Sequence, residues 1–344
     1  NGITTIDQRK YFATKAFAVS SNYDSIIFNY FNSTQGIDSL RISIDQSTSL
    51  RYGENPHQNA VFYGNIDELF EKLNGKEISY NNLLDIDAAI HLVNDFPEPT
   101  VAIIKHNNAC GIASRNTIFE AWDVALASDP VSAYGGIICL NRKIDSDTAT
   151  KIDALFFEIL IAPDFSPEAL TTLCKKKNRI ILKLKDANMP KSQIRSVLNG
   201  FLHQEKDIVC FDEYDTKVVT EKKPTSEELK DLIFADKVVK HTKSNAIVLA
   251  KDGAMISSGM GQTSRVDSLK QAIEKAHTFK LDLQGAVMAS DAFFPFPDCV
   301  EIAYEAGITS IIQPGGSLKD QDSTNACNRL GISMLHTGKR HFKH

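Results

Sequence analysis

Apolar residues recur along this chain with two different periods. Phe12, Ala16, Val19, Tyr23, Ile27 and Tyr30 stand four and three apart, which predicts one apolar face on a helix or on two stacked helices. From Leu50 onward, short β-branched runs alternate with helical spacing. Strands are expected at 101–104, 136–140, 159–162, 180–184, 208–211, 246–250, 286–289, 308–312 and 332–335. Helices are expected at 116–127, 149–157, 167–174 and 229–239, and Val266, Leu269, Ile273 and Ala276 mark one more helical face. Ser166-Pro167 reads as an N-cap with proline at the first helical position, and Thr225-Ser226-Glu227-Glu228 as a capping box. Lys251-Asp252-Gly253 reads as a tight hairpin, and Gly307 and Gly331 stand where helices end. Such alternation predicts an α/β architecture with helices layered on a mixed sheet. The polar stretch 212–224 is the expected linker, and no short sequence repeat is visible.

Composition narrows the classes. Of 344 residues 38 are Lys or Arg and 43 are Asp or Glu, a net charge of −5 spread along the chain, which argues against a nucleic-acid binder. No apolar run approaches the ~18 residues of a membrane span. The six cysteines form no CxxC pair and read as reduced thiols of a cytoplasmic protein. The first residue is Asn and no signal-peptide pattern follows it, so the start reads as internal.

Six clusters mix glycine, polar and aromatic residues in ways that neither core nor plain surface requires. They are Leu50-Arg51-Tyr52-Gly53-Glu54-Asn55-Pro56-His57-Gln58, Lys105-His106-Asn107-Asn108-Ala109-Cys110-Gly111 and Ser128-Asp129-Pro130-Val131-Ser132-Ala133-Tyr134-Gly135-Gly136. Ser257-Ser258-Gly259-Met260-Gly261-Gln262-Thr263-Ser264-Arg265, Ser290-Asp291-Ala292-Phe293-Phe294-Pro295-Phe296-Pro297-Asp298 and Gln313-Pro314-Gly315-Gly316-Ser317 follow in order. Each alone reads as a turn. Most of them follow or precede an expected strand, and the strand ends of α/β sheets are where ligand sites form.

Together these motifs, with Thr242-Lys243-Ser244-Asn245 ahead of Gly261-Gln262-Thr263-Ser264-Arg265, resemble the transformylase domain of the AICAR transformylase/IMP cyclohydrolase family, from about Asp7 to His344. One departure is Ala109, where the family loop usually has proline. The resemblance implies two cytidine-deaminase-like α/β/α lobes with mixed sheets, at 45–215 and 216–344, plus an N-terminal helical arm at 1–44. That arm resembles the end of an upstream cyclohydrolase domain, so cyclisation to IMP is not expected from this chain and would fall to such a domain or to a partner. A homodimer with active sites shared between subunits is implied as well.

The implied reaction moves a formyl group from 10-formyltetrahydrofolate to the 5-amino group of AICAR, giving FAICAR and tetrahydrofolate in IMP synthesis. That amine is conjugated with the carboxamide and is a weak nucleophile. An enzyme must therefore hold it against the formyl carbon, take its proton and stabilise the oxyanion. His106 is the expected proton acceptor, since an ordinary imidazole titrates near ~6.5. Lys105 beside it favours the neutral ring and suits the oxyanion. Neighbours in a strand point to opposite faces, so the pair converges only if the chain bends there.

By the same resemblance AICAR is contacted by Arg51, Tyr52, Gly135, Glu158, Asn245, Arg265, Phe293 and Arg340, and folate by Val266, Phe296, Asp298, Ser317 and Leu318. No catalytic metal is implied: the histidines lack zinc spacing with cysteines, and the HxE…PCxxC signature is missing. Two other readings stay open at this point. One is a non-catalytic nucleotide- or folate-binding subunit, the other a hydrolase releasing formate from formyl-folate.

Overall fold

The computed structural model describes residues 3–186, 189–211 and 215–344; the first three residues of the expected linker, 212–214, lie outside them. The chain divides into two compact units, Asn1–Glu68 and Leu69–His344. The boundary expected at 44/45 falls inside the first unit and that at 215/216 inside the second.

The first unit opens with α1 (Ile6–Gln35), whose Thr5 and Gln8 form a reciprocal capping box and whose end is closed by Gly36 in the left-handed region. Its Phe12, Phe17, Tyr23 and Tyr30 are exposed. After it, β1 (Ser47–Leu50) and β2 (Ala60–Tyr63) pair antiparallel. The first polar motif is the loop joining them, closed by a hydrogen bond from Gly53 N–H to Gln58 O. A single turn, α2 (Ile66–Leu69), follows, and the unit's last residue, Glu68, lies within it.

The second unit runs β3 (Phe70–Asn74), α3 (Tyr80–Val93), β4 (Thr100–Lys105), β5 (Asn108–Ser114), α4 (Ile118–Ser128), α5 (Pro130–Ala133), β6 (Ile137–Leu140), α6 (Ser146–Asp153), β7 (Ile159–Ala162), α7 (Pro167–Leu173) and β8 (Ile180–Leu184). An exposed hairpin, β9 (Ser192–Val197) and β10 (Gly200–Glu205), separates these from β11 (Lys217–Val218), α8 (Ser226–Lys240), β12 (Ile247–Lys251), β13 (Ala254–Gly259) and α9 (Arg265–Thr278). The chain ends with β14 (Val287–Ser290), α10 (Asp298–Glu305), β15 (Ser310–Gln313), α11 (Asp320–Leu330) and β16 (Ser333–His336). Among the described residues twelve strands form one mixed sheet, ordered β11-β16-β15-β14-β12-β13-β5-β4-β6-β7-β8-β3. The α/β expectation is thus met. The sheet runs through both expected lobes, yet each has its own core: Trp122, Phe157 and Ile138 in one, Phe294, Met288 and Leu269 in the other.

The strand expected at 208–211 does not form. Its apolar residues lie in irregular backbone, and the buried Lys240 ammonium takes Val209 O at 3.0 Å where a neighbouring strand would have to be. Conversely, β5 and α3 were not expected, because Asn108-Ala109-Cys110-Gly111 looks like loop and α3 carries no proline or glycine punctuation.

A repeat hidden from the sequence organises this unit. The helix–hairpin α3-β4-β5 recurs as α8-β12-β13: both helices open with capping boxes, Ser79/Asn82 and Thr225/Glu228. Both hairpins turn through two residues with positive φ, His106 (51°) and Asn107 (64°) in one, Asp252 (53°) and Gly253 (64°) in the other, the mark of a type I′ turn. Lys105 and Lys251 close the two first strands, and each donates to a carbonyl at 2.6 Å, Tyr134 O and Gln284 O. A half-turn about the β5–β13 junction relates the copies, so the two hairpins point to opposite edges of the sheet.

Asp236 of α8 is buried. Desolvation pushes its carboxyl up to about 6. A carboxyl with a raised folded pKa holds its proton better when folded, so it costs stability as pH rises from its unfolded value near ~4 toward 6. Asp236→Asn is expected to stabilise the fold above pH ~6 by on the order of 2 kcal/mol and to leave it unchanged near pH ~3, read as urea midpoints at both pH values.

Candidate active site

Strand directions decide where the candidate residues meet. β6, β7 and β8 run one way and β14, β15 and β16 the other; β4 and β13 run with the β14 group, β5 and β12 with the β6 group. One edge of the sheet therefore receives the C-terminal ends of β4, β13, β14, β15 and β16 together with the N-terminal ends of β6, β7 and β12. Those ends carry Lys105-His106, Arg265-Val266, Phe293–Asp298, Ser317-Leu318 and Arg340, and Gly135, Glu158 and Asn245, respectively. Every candidate of the second unit lies on that edge.

The Lys-His pair sits at a hairpin tip. Lys105 pairs with Asn108 across the last rung, leaving His106 and Asn107 as the two-residue turn. The left-handed turn breaks the strand's alternation, and the exposed His106 side chain leaves the sheet. Lys105 Nζ is held by Tyr134 O, and a Cβ on the positive-φ Gly135 would lie 3.3 Å from that ammonium. Below the tip, Gly111 lets β5 press on α4: a Cβ there would stand 1.9 Å from Ala125 O. Asp85 of α3 accepts the Asn107 N–H at 2.6 Å. Burial raises its carboxyl, against the opposing pull of the Asn107 and His106 N–H groups and the charges of His106 and Lys105. Glu158 Oε2 accepts from Asn82 at 3.3 Å and lies 3.5 Å from Lys76 Nζ.

A second group adjoins the first. Lys243 N–H donates to Asn108 Oδ1 at 2.9 Å, which ties the hairpin to the segment carrying Asn245. Asn245 Nδ2 donates to Gln262 O and Thr263 O, and its Oδ1 accepts from Arg265 Nη2 at 2.9 Å. Arg265 is buried, and Nη1 meets Asp291, Ser290 Oγ and Ala246 O. The guanidinium expected to grip substrate is thus engaged within the fold, and it fixes Asn245.

Beyond β14 the aromatic cluster divides: Phe294 is fully buried while Phe293 and Phe296 are exposed, with Lys319 Nζ 4.4 Å over the Phe296 ring. Asp298 opens α10 and accepts the Cys299 N–H. Asp320 accepts the Gly316 and Ser317 N–H groups, which shapes the turn that leaves Leu318 fully exposed. Val266, in the first turn of α9, is half-buried. Exposed Arg340 stacks 4.3 Å from the Phe342 ring, and His341 N–H returns to Asp291 O, bringing the tail back to this group. Arg51 and Tyr52 belong to the first unit, where the guanidinium stacks 4.6 Å from the tyrosine ring and Nη2 donates to its hydroxyl.

Sequence reasoning missed Asp85, Asn82 and Lys76 as parts of this edge, and named Asp291 only within its motif, with no role. The box Ser79-x-x-Asn82 was the one available signal for the first two. Among the described residues no three His, Cys, Asp or Glu side chains are grouped to hold a metal ion, and no helix is long and apolar enough to cross a membrane.

The sequence matches the family described as AICARFT/IMPCHase bienzyme over residues 1–275. The chain belongs to that family. It is 58% identical over 341 residues to the bifunctional purine biosynthesis protein PurH of Bacteroides thetaiotaomicron, a match covering 99% of this chain and 67% of the relative. It is 46% identical over 353 residues to PurH of Aquifex aeolicus, covering 100% and 69%. Among solved structures, a dCMP deaminase from the cyanophage S-TIM5 aligns with 26% of this chain and 76% of its own, at 16% identity and a TM-score of 0.23, too slight a likeness to bear on the fold. For this AICARFT/IMPCHase member the α/β architecture stands on its own strand register.

Proposed function

We propose that this chain transfers a formyl group from 10-formyltetrahydrofolate to the 5-amino group of AICAR. His106 takes the proton from the attacking amine, and Lys105, anchored on Tyr134 O, stabilises the charge that develops on the formyl oxygen. What carries the reading is the I′ turn that puts Lys105-His106 on the sheet edge holding Asn245 and the exposed Phe293 and Phe296. Glu158, with Asn82 and Lys76 beside it, suits ribose hydroxyls or the carboxamide, and the Phe293 ring suits the imidazole. Arg340, exposed, is the guanidinium on this edge suited to phosphate; Arg51 and Tyr52, in the first unit, are nucleotide contacts that the family resemblance implies. Val266, Phe296, Asp298, Ser317 and Leu318 line the folate end.

Glu158 before β7 and Asn245 before β12 are five strand spacings apart, about 24 Å. A nucleotide is shorter than that span, which suits a homodimer in which the Glu158 and the Asn245 serving one site come from different copies. The six cysteines, all free, suit the reducing cytoplasm.

The test is a spectrophotometric assay with AICAR and 10-formyltetrahydrofolate that follows tetrahydrofolate release. Release that requires AICAR is the expected result. Binding without turnover would favour a non-catalytic subunit, and formate release without AICAR a hydrolase. Following IMP in the same mixture decides whether the cyclohydrolase activity in the relatives' family is present here as well.

A further inference from the structure

We infer that Asp85 is a positioning residue for formyl transfer: its carboxylate holds the His106-Asn107 turn from below and so fixes where the His106 imidazole stands. The inference rests on the reading just given. Two independent observations carry it. The first is direct contact, Asn107 N–H to Asp85 Oδ1 at 2.6 Å from a half-buried side chain on the helix packed against β4. Both turn residues have positive φ, a conformation that costs a non-glycine residue ~1–2 kcal/mol and persists only where surroundings enforce it.

The second observation is the repeat. Asp231 stands six residues past the N-cap Thr225, as Asp85 stands six past Ser79, and it clamps the far hairpin, taking the Asp252 and Gly253 N–H groups at 2.8 and 2.6 Å. One helical carboxylate under each I′ tip, in two copies with different turn residues, marks the acid as part of the turn's design. What differs is the cargo. The far turn is Asp252-Gly253, on the opposite edge and without a histidine, so its clamp is structural alone. The near turn carries His106, so its clamp also places the imidazole. Displacing a reacting group by ~1 Å costs about 10²-fold in rate.

The experiment compares kcat and the AICAR KM of wild type, Asp85→Ala, Asp85→Asn and Asp231→Ala in the formyl-transfer assay, with urea midpoints for each. Asp85→Ala is expected to lower kcat by ~10-fold or more while KM stays within about 3-fold. Asp85→Asn, which keeps an acceptor oxygen, should recover kcat to within about 3-fold of wild type. Asp231→Ala, the same lesion on the far hairpin, should lose stability yet keep kcat within about 2-fold. Wild-type kinetics in Asp85→Ala, an equal fall in kcat for Asp85→Ala and Asp231→Ala, or no recovery in Asp85→Asn would each overturn the inference. If Asp85→Ala does not fold, Asp85→Ser, too short to reach the turn, takes its place with the same outcomes. A wild type that transfers no formyl group defeats the functional reading instead, so the two failures are told apart.

Discussion

His106→Ala is expected to lower kcat for formyl transfer by about 10²–10⁴-fold while AICAR still binds. The size follows from the role: the aromatic amine cannot complete its attack without losing a proton, and the exposed imidazole at the hairpin tip is placed to take it. The repeat isolates this chemistry from architecture. Lys105 and its counterpart Lys251 make the same bond to a loop carbonyl at 2.6 Å, so removing Lys105 disturbs scaffold and charge together. His106 has Asp252 in its place in the other copy and is exposed, so the fold does not depend on its ring. Alanine at φ 51° strains the turn by ~1–2 kcal/mol, and His106→Asn, a residue that tolerates this region, separates strain from lost base. Both variants should fall alike in kcat, with AICAR affinity measured by calorimetry changing little. A variant of either kind with wild-type kcat would remove His106 from the mechanism.

Local pattern made many of the elements legible and left their assembly unread. Runs such as Ile159-Leu160-Ile161-Ala162 announce themselves because a strand buried on both faces is continuously apolar, and the structure places β7 there. Ser166-Pro167 and the box at Thr225 start α7 and α8 as their capping chemistry requires. β5 was not readable, because Asn108, Ala109 and Gly111 have poor strand propensity; β5 forms through pairing with β4 and the close approach of α4 at Gly111. At 208–211 the error ran the other way, apolar residues without a partner strand. The motifs named the residues of the edge, but that they share it depends on strand order and direction, which are long-range. Asp85 is the sharpest case: a single acid inside a helix has no sequence signature, and its meaning comes from a turn reached 21 residues later.

Arg265→Ala is expected to cost the fold about 3–5 kcal/mol, the largest stability loss of any single change considered, and to abolish formyl transfer in whatever remains folded. Arg265 and Asp291 form an ion pair whose side chains are 6% and 0% exposed. Removing the cation strands a carboxylate already short of partners, since Asp291 Oδ2 accepts no hydrogen bond among the described residues. The same guanidinium holds Asn245 Oδ1 from Nη2 while Nη1 serves Ser290 Oγ and Ala246 O, so one residue ties β14, the start of β12 and the first turn of α9 together. Lysine cannot substitute: a single ammonium does not span both directions of that fork, and Arg265→Lys should recover part of the stability and little of the activity. The double variant Arg265→Met, Asp291→Asn removes both charges and should regain much of the lost stability while transfer stays absent, because Asn245 is still released. Urea midpoints for the three proteins, set beside their kcat values, check the assignment. Arg265→Ala with a wild-type midpoint would show that the buried pair does not hold this corner of the sheet.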